Sequence, residues 1–312
     1  MMFAEKIPIE EVRKLALEEG FCDVGAAKCE KIDISSYKAW IAKGYNATMD
    51  YLQRNIDKRE QPSFLVENTK TIFCFLMSYN DEDVCKNSRY KIATYAQRRD
   101  YHRTIKQKLN NIILKLQSQY PNLQAKAFTD TAPIGEKMWA SKCGLGWKGR
   151  NSMLVTKEFG NKIFIGEILA NCESDYAKEI NNHCGSCHRC IDACPNHAMM
   201  ENGLINANLC TAYQTIENKG DIPNNIRTNG YIYGCDICLN ACIWNNKAIR
   251  IETQDIDIKN LVCSMLDEIN RDEISKTTFN RLRRKTPMER IKFDKFLSNI
   301  QHTKSEISTN NR

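Results

Sequence analysis

Between residues 184 and 242 the chain carries eight cysteines in a spaced pattern. The first run is Cys184-Gly-Ser-Cys187-His-Arg-Cys190-Ile-Asp-Ala-Cys194-Pro195. This C-x2-C-x2-C-x3-C-P spacing wraps three thiolates around one iron–sulfur cubane. It sends the fourth, a helical turn further on, to a different cluster. Pro195 stops the chain from folding back. Such a run demands a second cluster, and Cys235-Asp-Ile-Cys238-Leu-Asn-Ala-Cys242 supplies three of its cysteines. Cys210 is the one cysteine between the two runs. Crosswise assignment gives Cys184, Cys187, Cys190 and Cys242 to one 4Fe–4S cluster, and Cys194, Cys210, Cys235 and Cys238 to the other. Zinc ribbons also use C-x2-C pairs, but they explain neither the third in-phase cysteine nor the Cys-Pro. His188 and His197 lie among these ligands, yet the thiolate count is complete without them.

The rest of the chain bounds what surrounds the clusters. Its 312 residues suffice for two domains, and 42% hydrophobic with 27% charged residues suits a globular protein. No apolar run approaches the roughly 18 residues of a membrane helix. The start, MMFAEKIPIEE, turns acidic where a signal peptide would be apolar. A cytoplasmic address is therefore expected, without membrane association. Disulfides are rare in that compartment. The scattered cysteines 22, 29, 74, 85, 143, 172 and 263 accordingly read as small core side chains. The net charge of +7 is uneven: residues 271–295 hold nine Lys/Arg against four acids. A basic cluster of this kind suits a phosphate-backbone partner, or a solvated helix surface.

Hydrophobic spacing predicts an α+β fold. Helices are expected over 8–19, 35–43, 98–119 and 133–143, and strands over 21–27, 71–79 and 124–129. Segments 152–157 and 162–170 flank Gly160-Asn161 and read as a β-hairpin. Composition shifts near residue 172. Three units are expected: 1–171, 172–250 with the clusters, and a basic extension 251–312, helical in pieces and frayed over its last dozen residues.

Two 4Fe–4S clusters move single electrons, so the first unit must hold a second cofactor or a docking site. Gly144-Leu-Gly146-Trp-Lys-Gly149 matches G-x-G-x-x-G, but it follows a helix and precedes a strand, the reverse of a dinucleotide fingerprint. A glycine-rich loop approaching a flat ligand remains open. Asp130, at a strand end before Pro133, is the best acid. It reads either as a buried carboxyl of raised pKa that donates a proton, or as a helix-capping aspartate.

Together these motifs resemble the epoxyqueuosine reductases, cobalamin-dependent iron–sulfur enzymes of tRNA modification. The resemblance runs from about residue 8 to 300. It rests on Met49-Asp-Tyr-Leu52, Arg99-Asp-Tyr-His102, Asp130-Thr-Ala-Pro133, Gly144–Gly149 with Asn151, Gly166-Glu-Ile-Leu169, both cysteine runs, Ile232-Tyr-Gly-Cys235-Asp236 and Trp244-Asn245. It implies an N-terminal cobalamin-binding domain followed by a ferredoxin-like two-cluster domain. The implied reaction reduces the epoxide of epoxyqueuosine, at the wobble position of tRNA, to queuosine. Electrons would pass from an external donor through the clusters to cobalamin, with Asp130 as proton donor. Implied cobalamin contacts are Arg54, Asp130, Asn151, Leu154, Ile165, Tyr213 and Asp236, in a monomeric chain. Asp100-Tyr-His102 starts a D-x-H-x-x-G cobalt-ligating motif, but Ile105 stands where glycine belongs, which suits cobalamin without a histidine ligand. Gly135 and Lys137 depart from the Leu and Arg expected after the Asp-Thr-Ala-Pro, and Ile243 replaces a proline after Cys242. The chain ends without the helical-repeat domain of many members, so Arg281–Lys295 is expected to take more of the tRNA contact. Two alternatives are a reductive dehalogenase-like reductase of a small molecule, and a ferredoxin-like electron carrier.

Overall fold

The computed structural model describes residues 6–85, 88–200 and 203–310. Residues 1–5, 311 and 312, which carry parts of the two terminal readings above, lie outside them. In chain order its strands are β1 Asp23–Lys28, β2 Thr71–Ser78, β3 Lys91–Ile92, β4 Ala125–Phe128, β5 Trp147–Lys148, β6 Leu154–Val155, β7 Ile163–Ala170 and β8 Tyr231–Tyr233. The main sheet has the order β1-β2-β7-β4 and is antiparallel throughout. All eight residues of β7 are buried, because helices cover both faces. On one face Phe164 and Ile168 meet Ile105, Leu109 and Ile112 of the helix Tyr101–Gln119. On the other, Ile165 and Leu169 meet Trp139 and Ala140 of the helix Glu136–Lys142. Gly166 lets the long helix approach, since a Cβ there would come within 2.6 Å of Ile105 Cγ2.

The expected elements are present with shifted ends. The long helix begins at Tyr101 because Asp100 caps it, its side chain accepting from His102 N. The expected 152–157/162–170 hairpin is not formed: β6 pairs with β5, β7 pairs with β2 and β4, and Thr156 alone bridges Gly160. The Gly160-Asn161 turn serves instead as a dock for the cluster segment. Asn161 N donates to Asn245 Oδ1 at 2.8 Å, and Asn245 Nδ2 returns a bond to Asn161 Oδ1 at 2.6 Å.

The C-terminal segment is not a frayed extension. Helices Ile256–Asn270, Lys276–Arg283 and Phe293–Asn310 enclose a second core of Ile258, Val262, Met265, Phe279 and Phe296. That core continues into Tyr90, Ile92, Ile232 and Tyr233 around the parallel β3–β8 pair. The polar composition of 243–312 hid it, because an apolar stripe on each helix suffices once three helices share it. Asp81 anchors the unit. Its Oδ1 accepts from Arg98 Nη2 at 2.9 Å and Lys259 Nζ at 2.8 Å, and the Lys259 side chain is only 1% exposed. A further correction concerns Cys85 and Cys263, expected as separate core thiols. They form a disulfide that joins the loop after β2 to the helix Ile256–Asn270. Among the described residues no helix is long and apolar enough to cross a membrane.

Candidate functional site

The fold gathers the eight spaced cysteines into two groups. Cys184, Cys187, Cys190 and Cys242 line one cavity with Arg150 and Arg189. Cys194, Cys210, Cys235 and Cys238 lie near enough to one another to disfavour each other's thiolates. Each group thus takes one cysteine from the other run. The cause is local: Arg189–Asp192 and Ile237–Asn240 are single helical turns packed together, and the last cysteine of each run lies past its turn. Burial, the main cause, pushes the Cys190 thiol to about 11 and Cys235 to about 12. Thiolates in such places need a cationic centre, which is the donor chemistry of iron–sulfur clusters. The Trp147 indole N–H reaches Cys184 Sγ at 3.4 Å, and Ala198 N reaches Cys194 Sγ at 3.4 Å. Neither His188 nor His197 is required by either group.

The glycine-rich loop is not a ligand cradle at Gly146. A Cβ there would meet Val155 O of β6 at 2.3 Å, so this glycine serves close strand packing. Asn151, 2% exposed, donates through Nδ2 to Cys238 O at 3.4 Å, tying that loop to the second cysteine group. Leu154 and Ile165 lie in the core beneath the helix Glu136–Lys142. The Tyr213 hydroxyl is engaged by Thr48, 2.7 Å from its Oγ1. Asp236 is buried and accepts from Thr94 N at 2.6 Å. Arg54 is exposed at the end of the short turn Asp50–Gln53, which carries Tyr51.

Asp130 lies elsewhere, at the end of β4, with its side chain 39% exposed. His102 Nε2 is 2.9 Å from Asp130 Oδ2, and His102 Nδ1 is 2.6 Å from Asp100 Oδ1. The Tyr101 hydroxyl donates to Asp130 Oδ2 at 3.2 Å. Arg290, from the C-terminal unit, places Nη1 at 3.8 Å from the same oxygen and Nη2 at 3.3 Å from Glu217. The raised pKa expected for Asp130 is overturned. Burial does push its carboxyl up, but the His102 hydrogen bond and charge, Arg290 and Tyr101 outweigh it and hold it below the ordinary 3.8. For His102 burial works downward, and Asp130 and Asp100 more than reverse it, raising the imidazole above 6.5. The resting pair is an imidazolium facing a carboxylate. Tyr101, His102, Glu136, Glu217 and Arg290 were not singled out as site residues. Asp100-x-His102 was visible, but only as the start of a cobalt-ligating motif that Ile105 leaves incomplete.

Near Asp130 lies Lys137, an exposed side chain whose ammonium is lowered by partial burial although the Glu136 and Asp130 charges raise it. Lys148 is likewise lowered by burial, with Lys137 adding to the effect, and is exposed. Two ammonium donors and a carboxylate suit a wide macrocycle edged with carboxamides. Lys137 also feels the charge of Cys238, so it lies close to the second cysteine group.

Comparison with known proteins agrees with this layout. Residues 59–131 match the family model described as epoxyqueuosine reductase QueG, DUF1730. Residues 183–245 match the 4Fe-4S double cluster binding domain. The chain is 34% identical over 304 residues to the epoxyqueuosine reductase of Cyclobacterium marinum, covering 95% of this chain and 97% of that one. Identity to that of Leadbetterella byssophila is 33% over 299 residues, covering 95% and 98%. The solved epoxyqueuosine reductase from Streptococcus thermophilus superposes with a TM-score of 0.83 at 25% identity, covering 95% of this chain and 80% of that one. An epoxyqueuosine reductase solved with a tRNA-Tyr epoxyqueuosine-modified tRNA stem loop shares the fold, with a TM-score of 0.82 at 22% identity and the same coverage.

Proposed function

The chain belongs to the epoxyqueuosine reductase family of oxidoreductases, which carry two 4Fe–4S clusters and cobalamin, and from that premise we propose how its own residues perform the reaction. The substrate is the epoxide of epoxyqueuosine in tRNA. One C–O bond and then the other are broken, two electrons and two protons enter, and an alkene and water leave. Cys184, Cys187, Cys190 and Cys242 hold the outer cluster, and Cys194, Cys210, Cys235 and Cys238 the inner one. Lys137, Lys148 and Asp130 would border the cleft that holds cobalamin, which when bound would supply a strongly reducing centre. The clusters, once bound, would carry electrons from an external donor, and Arg150 and Arg189 flank the cysteines of the outer one.

The observation that carries the proton chemistry is the Asp100–His102–Asp130 chain, open to the cleft at one end. Because Asp130 rests ionised, the proton is stored on His102. Asp130 passes it to the epoxide oxygen as that oxygen gains negative charge, so the pair acts as one general acid. Arg290 and Tyr101 hold the Asp130 carboxylate facing the cleft. Asp100 N donates to Lys285 O at 3.0 Å, so the exposed Arg284 and Lys285 stand at the rim of the same site. A phosphate backbone bound there places a nucleotide within reach of Asp130, which supports tRNA rather than a small neutral molecule as substrate.

The test is anaerobic incubation of cluster-loaded protein with cobalamin, a strong reductant and tRNA carrying epoxyqueuosine, followed by nucleoside mass spectrometry. Loss of one oxygen, dependent on cobalamin, is expected. Intact epoxide with both clusters and cobalamin bound would overturn the assignment.

A further inference from the structure

Asp130 adopts φ 52°, a left-handed backbone that an aspartate occupies only at a cost. Its turn closes tightly, Thr131 N donating to Thr129 O at 2.5 Å. The following helix turns back beneath it, and the Glu136 carboxylate accepts the backbone N–H of Asp130. Behind Glu136, at the middle of β7, Glu167 is completely buried opposite Cys74 and Phe128. Neither of its carboxyl oxygens has a hydrogen-bond partner among the described residues. A bare carboxylate is not tolerated in such a place, so Glu167 holds a proton and Glu136 is left to ionise.

We propose that Glu136 is a positioning residue for the proton transfer: its carboxylate clamps the Asp130 amide and keeps the Asp130 carboxyl against His102 and the cleft. This rests on the reading of Asp130 as proton donor. The groups facing Glu136 are Asp130 across the turn, His102 and Tyr101 from the long helix, Lys137 on its own helix and Glu167 from β7, with Cys143 and Cys74 beyond Glu167. Burial first, and then the Asp130 charge, lift Glu136 to about 7. The clamp is therefore charged, and strongest, above neutral pH, and weaker below it.

The experiment uses the histidine resonances of cluster-loaded, cobalamin-free protein, labelled with 15N-histidine. The chain has only 5 histidines, and His102→Gln assigns the relevant one. In the wild type His102 should titrate above its ordinary value because Asp130 and Asp100 both face it. In Glu136→Ala, and in Glu136→Asp, whose shorter arm does not reach the amide, its midpoint should fall towards 6.5. In Glu136→Gln, which still offers an acceptor oxygen, it should stay raised. Reductase assays should show kcat for Glu136→Ala and Glu136→Asp lowered about tenfold with little change in KM for tRNA. Glu136→Gln should retain most of its rate and lose the rise of kcat through pH 7. An unmoved His102 midpoint in either Glu136→Ala or Glu136→Asp would overturn the clamp. The resonance arm involves no substrate, so its outcome is separate from whether Asp130 donates the proton.

Discussion

If Asp130 and His102 act as one acid, removing both should cost no more than removing the more important one. Asp130→Asn keeps the shape and the Tyr101 and Arg290 contacts but has no proton to give. A positioned general acid contributes about 10²–10⁴-fold, so kcat should fall by that factor, or about 3–5 kcal/mol of barrier. His102→Gln leaves Asp130 in place but removes the largest influence holding its carboxyl down, the 2.9 Å contact. Asp130 then collects its proton from water, and a loss of about 10–10² is expected. The double variant should match Asp130→Asn within about threefold, because groups acting as a unit are not additive. The pH profile supplies the sign. Asp130 is depressed below 3.8 and His102 raised above 6.5, so the charged pair persists across the window between them. Its stabilisation is lost as pH falls through the Asp130 value or rises through the His102 value. Activity should decline on the alkaline side, as pH rises through the raised His102 value and the stored proton leaves, and His102→Gln should lack that limb. Single-turnover assays read by nucleoside mass spectrometry measure each rate. A double variant slower than Asp130→Asn by the whole His102 factor would refute the unit.

Neutralising Arg283, Arg284 and Lys285 to Gln should weaken tRNA binding and flatten the dependence of log K on log salt by about 2, since each lost phosphate contact removes roughly 0.7–0.9. Filter binding across a salt series checks this, and an unchanged slope would remove the basic rim from the interface. The crosswise cysteine groups make a sharper claim. Cys194→Ser with Cys238→Ser should retain about four of roughly eight irons, whereas Cys190→Ser with Cys194→Ser, close neighbours in sequence, should retain almost none. Iron analysis distinguishes the pairs, and equal retention would end the crosswise assignment. Asp81→Ala strands Arg98 and Lys259 in the interior and should destabilise by about 3–5 kcal/mol. Thermal unfolding of the cluster-loaded protein measures it, and a shift of less than a degree would show that the two cations find other partners.

How much of this was legible in the sequence follows from how far apart the partners lie. Seven of the cluster cysteines sit in two short runs whose spacing predicts their grouping, and Cys210 followed as the one cysteine between the runs. The central strand was legible as an unbroken apolar segment, but its partners were not. Period-2 and apolar-run signals identify a strand without saying what it pairs with, and Gly160-Asn161 looks like a hairpin turn until Asn245 is seen to occupy it. The C-terminal core was hidden for the same reason, since its apolar stripes meet only after the chain has folded.

Asp130 gives the strongest case. Its candidacy came from a local string, Asp-Thr-Ala-Pro, which carries no information about charge. Its protonation state is decided by His102, 28 positions earlier, and by Arg290 from the far end of the chain. A carboxyl read alone at a strand end looks like an acid waiting to donate. The same carboxyl beside an imidazolium and a guanidinium is a base that borrows its proton. The basic segment follows the same logic. As a charge run it suggested only a surface for phosphate. Folded as three helices on the cluster unit, it places one arginine, Arg290, against the acid and leaves Arg284 and Lys285 at the rim. On the proposed mechanism, binding of the tRNA backbone and tuning of the proton donor would fall to neighbouring residues of one segment. Charge brought in by the substrate's phosphates would then be felt at Arg290 and so at Asp130. A phosphate near Arg290 would draw the guanidinium away from Asp130 and raise its proton affinity as the substrate arrives.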